Sequence, residues 1–317
     1  MAETYSGVLA YVAWGEESTY GTAATTIDQW ELMRNVNARL GHNSIPVKGL
    51  GARYTQAIKP GPTDGAFSAE MVLQDMRMLT AIGGMADTKT GSGDITHTIV
   101  PATTIDSGTI ELGHNGTADV IYKLTGLMIN SWTLNLTLND VATVSLDCIY
   151  QEIDDSDTTA QTPSFKTTDP FALAEIQAKV GDSAVAEVQS GSLTYNNNLV
   201  PIRGLGSADL TDIMPGPLDV TWSMNLNMRD ITFHEYIEDN TEIDFEFVLT
   251  ESATRNITFT MNNSVIDGWS EPADVGGGVV NVTIDGIARY DSAEGVAANK
   301  NIIQIIEDNA IDVDYDA

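Results

Sequence analysis

Four histidines, one cysteine and a few acidic clusters are the residues of this chain that could do chemistry. His42, His97, His114 and His234 share no metal-ligand spacing and pair with no Cys or Ser motif, so they read as surface or satisfied structural histidines. Asp154-Asp155-x-Asp157 and Asp312-x-Asp314-x-Asp316 resemble calcium loops in charge only. Neither has the glycine or the terminal glutamate of an EF-hand, and both read as solvated carboxylates. Gly276-Gly277-Gly278 lacks the lysine and helix start of a phosphate loop and reads as a turn. Cys148 stands alone in an alternating apolar stretch, where a thiol acts as a small buried hydrophobe. These residues imply no active site, no metal site and no cofactor.

The composition narrows the field further. The 317 residues carry 45 Asp and Glu against 15 Lys and Arg, a formal charge of −30. A nucleic-acid binder needs a basic surface, so that class is excluded. A hydrophobic share of 42% supports packed cores rather than disorder. Asp outnumbers Glu by 28 to 17, and only 7 basic residues are Lys. Such chains suit molar salt, where the Debye length is about 3 Å, and the expected source is halophilic. No apolar run reaches the roughly 18 residues of a membrane span. The opening MAETYSGVLAYVAWGEE lacks the basic start of a signal peptide, so synthesis and folding are expected in the cytoplasm. The Asn-x-Ser/Thr sequons at Asn115, Asn135, Asn256, Asn262 and Asn281 then read as chance.

The elements that must position these residues come in two copies. IPVKGLGARYTQAIKPGPTD (45–64) aligns without a gap on VPIRGLGSADLTDIMPGPLD (200–219). Pro46 matches Pro201, Gly49 and Gly51 match Gly204 and Gly206, and Pro60-Gly61-Pro62 matches Pro215-Gly216-Pro217. Lys48 corresponds to Arg203. LMINSW, ending at Trp132, then matches SVIDGW, ending at Trp269, and VSLDCI (144–149) matches VTIDGI (282–287). The offset falls from 155 to 137 or 138, so the first copy holds about 17 extra residues. Three blocks in the same order imply a duplicated domain, in keeping with about 150 residues per domain.

Each copy reads as β structure. Val220, Trp222, Met224, Leu226 and Met228 alternate with polar residues, as do Phe67, Ala69, Met71 and Leu73. Trp132–Leu138, Val144–Tyr150, Phe245–Leu249, Ile257–Met261 and Val280–Ile284 follow the same period. The Pro-Gly-Pro-x-Asp segments are turns, and each Gly-Leu-Gly is expected at a sharp bend or bulge. Short helices are expected within Asp75–Met85 and Asp230–Glu238. Residues 169–181 offer a helix start at Asp169-Pro170, but their alternation into Gly181-Asp182 favours a hairpin. The expected plan is an arm (1–28), a first domain (29–153) with an enlarged loop at about 84–118, an acidic linker (154–169), a second domain (170–291) and an extension (292–317). Tyr11, Trp14 and Tyr20 either anchor a partner surface or staple the arm to its own domain.

The segment AWGEESTYGTA (Ala13–Ala23) is similar to the Gly-Glu-x-x-Tyr-Gly-Thr start common among tail tube proteins of long-tailed viruses. SGSLTYNNNLVPIRGLGS (190–207) resembles the same family, in which a strand ends in Asn-Asn before x-Pro and a glycine bend. The first copy departs from it, with Arg39-Leu40-Gly41-His42 in place of residues 194–197. The resemblance implies a mainly β fold of two tandem tail-tube-type β-sandwich or partial-barrel domains, each with a short flanking helix, plus extended arms. It implies a structural subunit of stacked rings around a channel for genome delivery. Another virion component, such as a baseplate or spike subunit, and a secreted-type β-sandwich binding module are the alternatives. A tube of this family is a stack of six-domain rings, so with two domains per chain the expected partner is the chain itself, in homotrimeric, pseudo-hexameric rings. Other tail proteins would meet the tube ends, genomic DNA would pass without specific binding, and no membrane is involved. The expected location is the virion tail, after synthesis in the host cytoplasm. Strands Gly65–Asp75 and Val220–Asp230 are the expected channel wall, because their polar faces carry Glu70 and almost no basic residue, Arg229 excepted. The arms (1–28 and 84–118) and the tail after 292 would clasp neighbouring rings, and 84–118 would be dispensable for folding.

Overall fold

Alternation of apolar and polar residues makes strands of most of the chain, and the strands pair in an order that sets the two sequence copies side by side. The computed structural model describes residues 7, 10–51, 53–116, 119–157, 161–172, 175–181, 183–207, 209–228, 232–271, 280–290 and 301–316. In chain order the first elements are β1 (Ala10–Glu16), β2 (Gln29–Trp30), β3 (Met33–His42), β4 (Ile45–Val47), β5 (Ala57–Lys59), β6 (Thr63–Val72) and α1 (Arg77–Ala81). Next come β7 (Met85–Ser92), β8 (Asp94–Pro101), β9 (Gly108–His114), β10 (Val120–Thr137), β11 (Thr143–Tyr150) and β12 (Glu152–Asp154). The second half holds β13 (Ile176–Val180), β14 (Ser183–Ala184), β15 (Val188–Asn196), β16 (Val200–Ile202), β17 (Asp212–Met214) and β18 (Asp219–Asn227). It ends with α2 (Thr232–Glu238), β19 (Glu242–Ser252), β20 (Arg255–Ser270), β21 (Asn281–Ile287) and β22 (Gln304–Asn309).

One antiparallel sheet runs β3-β6-β11-β10-β15-β18-β21-β20. Its first four strands and its last four have the same order and the same register. Trp132 lies opposite Leu146 and Met128 opposite Ile149, while Trp269 lies opposite Ile284 and Val265 opposite Ile287. Even the bulge recurs, at Ile129/Ser131 and at Ile266/Gly268. The two sets meet where β10 pairs with β15 from Ser131↔Asn196 to Thr137↔Ser190.

A second layer covers the apolar face. The N-terminal half of β10 pairs with β9 and β12, and β9 with β1; β19 and β13 do the same for the second set through β20. β10 and β20 are long because each serves both layers, turning near Gly126 (φ 62) and Asn263 (φ 56). β22 lies between β20 and β8 and so ties the second half of the chain to the first. No ring of pairings closes among the described strands, so the layers form an open sandwich. Between them lies one continuous core, in which Trp132 stacks on Tyr195 at 5.4 Å and Trp222 on Phe245 at 3.9 Å.

Several segments differ from their sequence reading. Residues 84–118 hold three strands, β7 to β9, because Ile95, Ile99 and Ile110 are fully buried. The N-terminal arm contributes β1, and the C-terminal extension contributes β22 with the buried Ile303, Ile305 and Tyr315. The acidic linker lies on the first set, with Phe165 edge-on to Trp30 at 6.3 Å. Each Gly-Leu-Gly forms the tip of a two-stranded hairpin, β4–β5 or β16–β17, rather than a bulge within a strand. The helices are short, at 77–81 and 232–238, and β13–β14 forms the favoured hairpin. Arg229, Asp230, Gly276–Gly278 and residues 292–300 lie outside the described residues.

Candidate assembly surfaces

The outer face of the long sheet is built from small, uncharged polar side chains. Asn35, Asn37 and Ser68 lie on the first set; Thr133 and Thr194 meet at the junction; Ser192, Ser223, Asn225 and Thr283 follow on the second. Many bond to each other across strands, as Thr133 with Thr194 at 3.0 Å and Asn135 with Ser145 at 3.0 Å, which satisfies them without charge. The charged exceptions are mostly acids, Glu70, Asp147, Asp267 and Asp285, against Arg39, held by Asp64 at 2.9 Å, and Arg34, which pairs with Asp140 at 2.8 Å and with Glu70 at 3.7 Å. Two shallow troughs lie over this face, about 350 Å³ above the second set and 440 Å³ above the first. β6 and β18, the strands read from sequence as a channel wall, stand at corresponding places in this sheet, each second in its set. β6 stops at Val72 rather than Asp75, because Leu73 turns into the core ahead of α1.

The repeat turn residues form two hairpins that leave the same rim of that sheet, since β3 and β15 run in the same direction. Pro46 and Pro201 stand in β4 and β16, and among the described residues both hairpins form strand pairs only within themselves. Gly51 (φ 88) and Gly206 (φ 95) make the tips, and Gly49 and Gly204 precede Leu50 and Leu205, both fully exposed. Pro60-Gly61-Pro62 and Pro215-Gly216-Pro217 return the chain to the sheet. There the backbone passes so close to Asn43 and Asn198 that a Cβ would fall 1.7 Å from the first carbonyl oxygen and 2.2 Å from the second. Only glycine fits, and for the same reason in both copies. The base of the second hairpin packs Leu199, Leu210 and Ile213 on Met128, Ile149 and Ile105 of the first set.

The aromatic residues of the N-terminal segment staple it to its own body. Tyr11 is buried, stands 5.4 Å from Trp30 and donates to Glu111 at 2.6 Å. Trp14 is buried and donates to Glu31 at 3.2 Å, and Tyr20 packs beside Met128 and Leu210. Glu17, a residue with no role in the sequence reading, organises this segment. Its carboxylate accepts from Gly21 N–H at 2.9 Å, Ser107 Oγ at 2.7 Å, Thr109 Oγ1 at 2.8 Å and Gly126 N–H at 2.9 Å. The signal lay in the start segment itself, where Glu17 stands four residues before Gly21, but only the fold shows that this acid is structural.

The titratable residues bind elements together. Lys166 contacts Glu31 at 2.6 Å and Asp75 at 2.8 Å, both carboxylates being buried. Burial works against the ammonium, but the two carboxylates outweigh it and raise its pKa. Burial also raises Glu31 and pushes Glu307 up to about 8, with Asp75 adding to both. His97 stacks on Tyr315 at 3.9 Å, with Nδ1 2.6 Å from Asp87 and Nε2 3.0 Å from the Ile311 carbonyl. Asp312 and Asp314 pair with Lys89, and Asp157 with Lys123, so these acidic clusters serve as ion-pair partners. Burial pushes the Cys148 thiol far above its ordinary range. Among the described residues no group of His, Cys, Asp and Glu could hold a metal ion.

The family model described as "Phage tail tube protein" matches residues 7–316, nearly the whole chain. Comparison with curated proteins returned no match. The chain therefore belongs to the phage tail tube protein family and is a structural subunit of a virion tail, not an enzyme.

Proposed function

We propose that this chain is a tandem duplication of a tube domain, and that three copies close a ring of six such domains, pseudo-sixfold in fold, around a channel. The observation that carries this reading is the β10–β15 pairing, which merges two four-stranded sets of equal order and register into one sheet. One such edge-to-edge step repeated by rotation closes a ring, and rings stacked head to tail make a tube. The polar face of the sheet would line the channel. Phosphate affinity comes from basic contacts, so a wall of Ser, Thr and Asn with a few acids lets DNA pass without holding it. The two hairpins would place Leu50 and Leu205 on one rim of every ring, as contacts for the next. This role falls to the hairpins because the described parts of the segments read as arms hold β1, β7 to β9 and β22.

The acidic, Lys-poor composition supports a long-tailed virus of a halophilic archaeon as the source. The chain would be made in the host cytoplasm and meet other tail proteins at the tube ends. Electron microscopy of the purified protein tests the reading. Averaged end views should show three chains in a six-lobed ring; six whole chains per ring would overturn it.

A further inference from the structure

The pairing inside the chain leaves a matching half-interface open at each end of the long sheet. At the internal junction Trp132 and Tyr195 lie opposite each other and are fully buried, at 0% and 1% exposure. Their repeat counterparts are Trp269 and Leu40. Trp269 is only half-buried, and Leu40 is 50% exposed on β3, a strand whose only described partner is β6. The same holds beside the ladder. Ile213 of the second hairpin is buried against Met128 and Ile149. Its counterpart Ile58 is 68% exposed on the first hairpin, and Ile287, the counterpart of Ile149, is 47% exposed at the far end of the sheet. Among the described residues, the two halves of this contact meet within the chain and do not meet at its two ends.

Charge fits the two open halves to each other. Residues 32–63 hold Arg34, Arg39, Lys48, Arg53 and Lys59 and not one Asp or Glu, in a chain of charge −30. Residues 256–288 hold Asp267, Glu271, Asp274 and Asp285 and not one Lys or Arg. One third of the basic residues thus belongs to β3 and the first hairpin, where Arg34 pairs with Glu70 and Asp140, and Arg39 with Asp64. Opposite patches at the two ends of one molecule favour head-to-tail contact between copies and disfavour contact between like ends.

We infer that β3 and the first hairpin of one chain dock on the 265–271 edge and Ile287 of the next, in the register that β15 and the second hairpin already hold on β10 and β11. This rests on the ring reading above and adds the residues that meet. Transferring the internal register places Leu40 opposite Trp269 and Arg39 opposite Ser270, as Tyr195 lies opposite Trp132 and Thr194 opposite Thr133. Ile58 covers Ile287, and Lys48 takes the place of Arg203, which donates to the Thr63 carbonyl across the internal junction. The contact between chains is more polar than the one within, because Leu199 and Leu210 correspond to Ser44 and Thr55. β20 ends at Ser270, the counterpart of Thr133, whereas β10 runs on to Thr137, so the ladder between chains is shorter as well. A junction of this kind forms after folding and leaves a soluble free chain.

Disulfide trapping tests the register. Thr133 and Thr194 bring their hydroxyls to 3.0 Å, so cysteines at the corresponding positions of two chains fall within bridging distance. The variant Arg39→Cys/Ser270→Cys, oxidised under ring-forming conditions, should run on a non-reducing gel as covalent trimer. Asn37→Cys/Ser270→Cys, displaced by two residues, should stay monomeric, because diagonal neighbours lie about 7–8 Å apart. The same samples are imaged. Rings on the grid without a 39–270 bridge, or with an equal yield from 37–270, would overturn the register and leave the ring reading standing. Folded monomers with neither rings nor bridge would overturn both.

Discussion

Lys166 is the residue on which two buried carboxylates depend, since Glu31 and Asp75 both lie within 3 Å of its ammonium. Replacing it with methionine keeps the volume and leaves both acids without a counter-charge, a change that costs about 3–5 kcal/mol. Urea unfolding of Lys166→Met should show that loss, although residue 166 lies in a stretch whose composition reads as a linker; a loss below about 1 kcal/mol would mean the segment is as loose as its sequence suggests. Glu307 sets a second test. Its pKa is raised to about 8 by burial and then by Asp75, against about 4.3 in an unfolded chain. Between those values the folded state holds a proton that the unfolded state has released. The stability it contributes is therefore full below about pH 4.3 and falls as the pH rises towards 8. Glu307→Gln keeps an acceptor for the Met76 N–H and removes the titration. The melting temperature of the variant should fall less between pH 5 and 8 than that of the unaltered chain, and equal slopes would refute the assignment. Neither residue was legible as important in the sequence: Lys166 lies in a stretch that reads as a linker, and a buried acid such as Glu307 looks like a surface one among 45 of them.

At the scale of elements the sequence was readable wherever a strand has one wet face and one dry face. β6, β11, β15, β18, β21 and β10 from Trp132 onward all alternate, and the periodicity that marks them also marks which residues enter the core. It was unreadable where a strand is short, or is held by a partner far away in the chain. β8 and β22 pair with each other across some 200 residues, and neither pattern alone announces the other. The same distance hid the role of 84–118. That stretch supplies β9, the only described neighbour of β1 besides β2, and places Ile95, Ile99 and Ile110 in the core. Its deletion, which the loop reading would tolerate, should therefore abolish folding. The expected result is insoluble protein, or soluble protein without a cooperative thermal transition by circular dichroism. A deletion variant that melts cooperatively near the temperature of the full chain would restore the loop reading. The glycines were legible as turns, but not their reason. Gly61 and Gly216 are fixed by a close pass over Asn43 and Asn198, a contact that only the folded chain reveals.

For the whole molecule, charge opposes what the sheet edges favour. Each chain carries −30, so a ring of three gathers three times that charge, and stacked rings bring it together again. The complementary ends at 32–63 and 256–288 attract only at contact range, where a partly buried pair is little affected by salt, whereas the net repulsion acts across the whole subunit. In about 0.1 M salt the Debye length is about 10 Å and neighbouring chains repel over that distance; near 1 M it shrinks to about 3 Å, and the edge contact is left to act. Exposed ion pairs, worth about 0–1 kcal/mol each, cannot make up the difference. Assembly should thus require salt even though its closest charges attract. Light scattering across a salt titration should show rings disappearing as the concentration falls below the molar range. Circular dichroism on the same samples separates lost assembly from lost β structure. Adding one acid to the basic end tests the balance: Arg39→Glu should move the assembly midpoint to higher salt, since it removes a local attraction and deepens the net charge. Tubes that persist unchanged in about 50 mM salt, where screening reaches beyond 10 Å, would show that the acidity serves another purpose and would end the halophile reading.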